Sequence, residues 1–239
     1  MSISVLSPVL ERGSLLFSVF NVLKSWIKRK PSLLKTLYFN LRYFPMPIAI
    51  KTPVWVSHFV VLKKCQGKII LPEKIYPGMI ELGFGYVPVF DKKRIRTIWN
   101  NNGVVKFKGK CVFKHGARIG NGGVITFGNE FHIAPESLII CEKEIVFGDF
   151  VSVSWRCQIM DSDYHELLQN GKRINKDKQI RIGNHVWIGN NCLVKKGTHL
   201  PDNVVVVSGS VVTGTIDKRN TVIGGVPAKP IKKSINWKR

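Results

Sequence analysis

The sequence predicts a mainly β protein built as a stacked solenoid. Three features predict it: a six-residue apolar repeat, turn-forming dipeptides at regular intervals, and a scaffold interrupted by one long polar excursion. From Ile182 the same slot falls on Ile188, Val194, Leu200, Val206 and Val212, all aliphatic. The fifth slot of each hexad holds Val186, Cys192, Thr198, Val204, Ser210 and Ile216, mostly small or β-branched. One hexad cannot bury its own apolar side chain, whereas stacked hexads share a core. A helix would turn residues six apart toward different faces, while short strands separated by corners hold them in register.

Composition bounds the partners. With 239 residues and 44% hydrophobic content the chain can bury a real core, which excludes a disordered chain. Its 37 basic residues against 15 acidic ones, a net charge of +22, predict attraction to anionic partners. No zinc-finger spacing, aromatic RNA-binding signature or basic-zipper pattern accompanies that charge, so nucleic acid is not the expected partner. The five cysteines form no CxxC pair, and Cys111, Cys157 and Cys192 fall on small inward slots. They read as buried packing residues in a reducing compartment, with neither a disulfide nor a metal site expected.

Taken in order, residues 1–66 form a basic, apolar N-terminal segment. Within it, Ser14–Ile27 runs into Lys28-Arg29-Lys30. It is too short to span a bilayer and lacks a small-residue cleavage site. It fits either an amphipathic helix lying on an anionic membrane face or a helix packed on the solenoid end or on a neighbouring subunit. Pro31 ends it. The apolar stretch 45–62 is broken by Pro47, Lys51, Pro53 and His58 and is not a membrane span.

Residues 67–223 carry the solenoid. Hexads start at Phe107, Phe113 and Ile119, restart after a two-residue insertion at Phe127, Ile133 and Ile139, and restart again at Phe147, Val153 and Ile159. Insertions between groups of three predict three hexads per coil with extra residues at one corner. About six coils follow from Phe107 to Ile216, and at ~4.8 Å each a prism on the order of 29 Å long. Gly120-Asn121, Gly128-Asn129, Gly148-Asp149, Gly183-Asn184 and Gly189-Asn190 are expected to supply the unusual backbone angles of the corners. The register lapses over residues 161–179, a polar stretch where chemistry is expected. Pro227 is expected to stop the solenoid and open a basic tail, 224–239.

The hexads, the DSDYH loop at 161–165, the VWIG stretch at 186–189 and the closing GGVPAKPI at 224–231 together resemble the hexapeptide-repeat acyltransferases. The likeness is specific over 147–232, and WRCQIMDSDYHEL with the upstream runs is similar to O-acetyltransferases of bacterial capsule, exopolysaccharide or lipopolysaccharide synthesis. That resemblance implies a left-handed parallel β-helix, against the usual crossover hand. It further implies a homotrimer, acetyl-CoA as co-substrate and a saccharide acceptor, including a lipid-linked glycan at the inner face of the cytoplasmic membrane.

The resemblance places the catalytic histidine at His165. Acyl transfer to a sugar hydroxyl needs a base near neutral pH, which imidazole supplies. Asp161 or Asp163 could orient the ring, with Asp163 the choice and a loop-capping carboxylate the alternative. His58, His115, His132, His185 and His199 read as surface, turn or packing residues. The stretch FHIAPES offers Glu136 where such enzymes often carry an asparagine near the acceptor. By the same resemblance, Trp187 and Asn190 lie near the thiol end of coenzyme A, Ser208 and Gly209 along its arm, Thr213 and Gly214 further out, and Lys229 and Lys232 near its phosphates. Each has a structural alternative as packing, turn or solvated surface. Two other readings are a membrane-associated scaffold that has lost catalysis and a zinc-dependent enzyme of the same fold, for which no HxxxxH pair is present.

Overall fold

The computed structural model describes residues 24, 26–85, 87–91 and 95–238. Most described strands belong to three parallel sheets, which the chain visits in strict rotation. The first sheet runs through Val54–Val56, Ile80–Leu82, Cys111–Phe113, Phe131–Ile133, Ser152–Val153, Trp187–Ile188, Val204–Val206 and Thr221–Gly225. The second runs through Val60–Cys65, Thr97–Asn101, Arg118–Asn121, Leu138–Cys141, Gln158–Met160, Leu193–Val194 and Val211–Val212. The third runs through Lys68–Ile70, Val104–Phe107, Val124–Phe127, Glu144–Phe147, Ile180–Ile182 and His199–Leu200.

The repeat sets this register. Phe131 pairs with Cys111, twenty residues back, whereas Val205 pairs with Trp187, eighteen back. The two extra residues of the longer circuits sit at the edge between second and third sheets, as at Asn121–Val124. Both inward slots are buried: Ile182, Ile188, Val194, Leu200, Val206 and Val212 in one, Val186, Cys192, Thr198, Val204 and Ser210 in the other. All five cysteines are buried and free. Larger side chains fill the upstream circuits, where Phe107, Phe127 and Phe147 stack with centroids 5.5 Å apart at each step.

Three expectations need correction. The β body begins before residue 67, because Val54–Val56 and Val60–Cys65 already belong to the first and second sheets. Pro53 and the Lys63-Lys64 pair broke the hexad text there, yet backbone pairing to Ile80–Leu82 and Thr97–Asn101 persists. Residues 224–239 are not simply a tail, since Ala228–Lys233 folds back antiparallel on Thr221–Gly225.

The third concerns the corner glycines. None of Gly120, Gly128, Gly148, Gly183 and Gly189 has a positive φ. At Gly128 a Cβ would meet the Gly148 carbonyl oxygen at 2.1 Å, and at Gly148 the Gly183 backbone at 2.7 Å, so stacking of the circuits excludes a side chain. The adjoining Asn or Asp forms a ladder: Asn129 N–H donates to Asp149 (2.7 Å), Asp149 N–H to Asn184 (2.8 Å) and Asn184 N–H to Asp202 (2.8 Å). Positive φ falls one residue later, on Glu130, Phe150, His185 and Asn203.

Upstream, the helix Leu33–Tyr43 caps the open end of the first sheet. Asn40 receives the Val54 N–H (3.2 Å) and donates to the Val54 carbonyl (2.7 Å), and Thr36 receives the Val56 N–H (3.1 Å). These bonds satisfy a strand edge that would otherwise be exposed. Apart from Lys24, Trp26 and Ile27, the segment expected to form the amphipathic helix at Ser14–Ile27 lies outside the described residues. Among the described residues no helix is long and apolar enough to cross a membrane.

Candidate active site

The excursion at 161–179 leaves the second sheet after Gln158–Met160 and re-enters the third at Ile180–Ile182, with a small antiparallel hairpin, Leu168–Gln169 with Lys172–Arg173. Its root is Asp161, which is fully buried. The carboxylate accepts the N–H groups of Glu142 (2.8 Å), Lys143 (2.9 Å) and Glu144 (2.7 Å) from the circuit below. It continues a ladder at twenty-residue spacing, in which Asn121 donates to Asn101 (2.7 Å) and the Cys141 thiol to Asp161 (3.4 Å). Asp161 is therefore an anchor for the loop and is not available to His165.

Asp163 faces a different partner from the one expected. Its Oδ2 is held by the Lys196 ammonium and by Asn175 Nδ2 (2.9 Å), and no described residue hydrogen-bonds the His165 ring. The attraction of a full positive charge explains the choice. Asp163 nevertheless shapes the backbone at His165: its carbonyl accepts the His165 N–H (2.7 Å), and Asn175 Nδ2 also donates to the His165 carbonyl (2.8 Å). Lys196 Nζ donates in turn to the Asn175 carbonyl (2.6 Å). Lys196, Asp163 and Asn175 thus clamp an exposed histidine from the neighbouring circuit, with the imidazole directed to solvent. Sequence reasoning missed Asn175 and Lys196, which lie 10 and 31 positions beyond His165.

The Lys196 ammonium, and after it the Asn175 amide, hold the Asp163 carboxyl below its ordinary value. A lowered carboxylate contributes to order above its unfolded value and loses that contribution as pH falls through the folded value. Amide protection across 163–175, taken relative to the intrinsic exchange rate at each pH, is therefore expected to stay constant from neutral pH down to about pH 4 and to fall only below it. In Lys196→Met exchange should already be fast at neutral pH.

Around the corner between first and second sheets lie Trp187, Asn190, Ser208 and Gly209. Ser208 Oγ donates to Asn190 Oδ1 (2.6 Å), tying consecutive circuits, and Trp187 Nε1 donates to Ser154 (3.1 Å). Nothing lies within 4 Å of a Cβ placed on Gly209 or on Gly214, so the backbone there is open to a ligand. Trp187 lines a cleft of about 300 Å³ with Ser152, Ser154, Trp155 and Trp237. Trp237, which nothing in the hexad pattern announced, stacks on His185 at 4.4 Å and donates to its carbonyl (3.0 Å). Glu136 is taken by an ion pair with Arg156 (2.7 Å).

These residues do not form one cluster within the chain. His165, Lys196, Thr213 and Gly214 occupy the edge between second and third sheets. Trp187, Asn190, Ser208 and Gly209 occupy the edge between first and second, and Lys229 and Lys232 lie exposed on the strand added to the first sheet. A whole sheet separates the histidine from the Trp187 and Ser208 corner.

No family model matches the chain. Over 109 residues it is 38% identical to an uncharacterized 24.8 kDa protein in the cps region of Klebsiella pneumoniae, covering 46% of this chain and 49% of the relative. Over 105 residues it is 41% identical to the polysialic acid O-acetyltransferase of Neisseria meningitidis, covering 43% of this chain and 49% of the relative. The chain thus spans about half the length of these curated relatives. Among solved structures it is similar to the polysialic-acid-specific acetyltransferase NeuO, with 22% identity, a TM-score of 0.56, and coverage of 72% of this chain and 74% of that one. That likeness is one of fold.

Proposed function

We propose that this chain is an O-acetyltransferase of the hexapeptide-repeat family, moving an acetyl group from acetyl-CoA to a saccharide hydroxyl in bacterial surface-polysaccharide synthesis. The observation that carries the reading is a solvent-facing histidine, clamped at its backbone, on the excursion at 161–179 from a three-sheet scaffold. Similarity to a polysialic acid O-acetyltransferase supports the reaction and the acceptor class. The rotation through three parallel sheets supports a parallel β-helix, and its left hand is what the family resemblance implies.

The residues fit acetyl-CoA, which supplies an activated acetyl thioester. Ser208 and Gly209 leave open backbone for the amides of its arm, Gly214, on the His165 edge, would face the arm held by a neighbouring subunit, and Lys229 and Lys232 offer exposed charge for its phosphates. In the reaction His165 takes the proton of the attacking sugar hydroxyl and returns it to the departing thiolate. Holding the backbone on both sides of His165 restricts the ring to few positions, which favours a reactive approach. Asn190 and Trp187 would border the thiol end of acetyl-CoA, as the resemblance implies.

Because a sheet divides His165 from that corner, the complete site needs a second subunit. A homotrimer places the loop of one subunit against the groove of the next, a heterologous contact that closes as a ring. The N-terminal sixty residues, basic and apolar, support action on a lipid-linked glycan at the anionic inner face of the cytoplasmic membrane.

Subunit mixing tests this. His165→Ala removes the base, and Ser208→Trp fills the groove at an exposed position. Refolded together in equal amounts, they are expected to restore about one quarter of wild-type thiol release, since a site then needs one intact loop and one intact neighbouring groove. Failure of the mixture to exceed either variant would place both elements in one chain.

A further inference from the structure

The helix Leu33–Tyr43 buries Phe39 together with two polar residues and leaves most of its other large apolar side chains on the opposite side. Its polar residues Thr36 and Asn40 are buried against Val54–Val56, while Leu33, Leu34, Leu37, Tyr38 and Leu41 face solvent. Those positions fall on one stripe at helical spacing. Thr36 and Asn40 are inward because the open end of the first sheet presents backbone groups that only polar side chains can satisfy. The leucines are then left on the outer side, with Leu34 81% exposed. Met46 and Ile50 of the following short helix extend the apolar surface. A contiguous apolar face on this scale marks an interaction surface.

Charge selects the partner. No acidic residue occurs between Arg12 and Pro72, and although Arg29 is paired with Glu81 (3.1 Å), exposed Lys28, Lys30, Arg42, Lys51, Lys63 and Lys64 belong to the same end of the molecule. A second copy would bring like charge against like charge. An anionic bilayer meets both demands, receiving leucines among its acyl chains and cations at its headgroups. Eleven residues are too few to cross the bilayer, so the helix lies along it.

We infer that the outward face of Leu33–Tyr43, extended by Met46 and Ile50, docks the protein onto an anionic lipid surface. This deepens the membrane localisation proposed above by assigning it a defined surface. It is independent of acetyl transfer, because thiol release from soluble substrates needs no lipid.

The test is co-sedimentation of the full chain with vesicles of phosphatidylcholine and phosphatidylserine, and with phosphatidylcholine alone. Wild type is expected to bind the mixed vesicles, and the exposed-site double variant Leu34→Gln/Leu37→Gln to bind at least about tenfold more weakly, as loss of two inserted leucines requires. Soluble-substrate turnover and oligomer mass should be unchanged in that variant. Equal binding of both proteins would overturn the inference, as would absence of binding by wild type. A smaller oligomer in the double variant would assign the face to a contact between copies instead.

Discussion

His165→Ala is expected to lower acetyl transfer by about 10²–10⁴-fold, the range that a positioned general base contributes. The fold should survive, because the ring is exposed and no described residue hydrogen-bonds it. The loop is held instead by the His165 backbone, Asp163, Asn175 and Lys196, none of which the substitution removes. Acetyl-CoA binding should likewise change little, since the groove residues lie on another edge. The expected pattern is thus a collapse of kcat with little change in KM for acetyl-CoA, with mass and circular dichroism as in wild type. Residual turnover within a few-fold of wild type would remove His165 from the chemistry.

Phe127→Ala is expected to destabilise the protein by about 3–5 kcal/mol, the cost of deleting a buried aromatic ring. Phe127 is fully buried at the centre of five rings. It stacks between Phe107 and Phe147 and meets Phe113 at 5.0 Å and Phe131 at 4.7 Å. In a stacked architecture each circuit contacts only its neighbours, so a cavity here weakens the contacts to both adjoining circuits. Phe127→Leu refills most of the space and should recover much of the loss. Urea unfolding of the three proteins measures this. A loss under about 1 kcal/mol for the alanine variant would show that the aromatic column is not the core of the upstream circuits.

The inward slots were legible because they depend only on period: Ile182 through Val212 and Val186 through Ser210 are buried as their six-residue spacing requires. The excursion at 161–179 was legible because a lapse in a strict repeat is visible in one dimension. The reason for glycine at Gly128 and Gly148 was not, because the forbidden Cβ contact is with the next circuit, twenty or more residues away. Contacts with other circuits likewise hid Lys196 and the roles of the two carboxylates, of which Asp161 is buried under three N–H groups and Asp163 faces an ammonium, while Asn175 was hidden by the irregular path of the loop itself. The outward leucines of Leu33–Tyr43 were hidden for a related cause: apolar spacing identifies a face but not which side the scaffold will cover.

Acetylation of a saccharide by wild type and His165→Ala, followed side by side by mass spectrometry of the sugar and by free-thiol release from acetyl-CoA, tests the central claim most directly. Wild type is predicted to add an acetyl group to a hydroxyl with one thiol released per group transferred, and His165→Ala to do neither at a comparable rate. Thiol release without acetylated sugar across surface-polysaccharide acceptors, or transfer undiminished in His165→Ala, would contradict it.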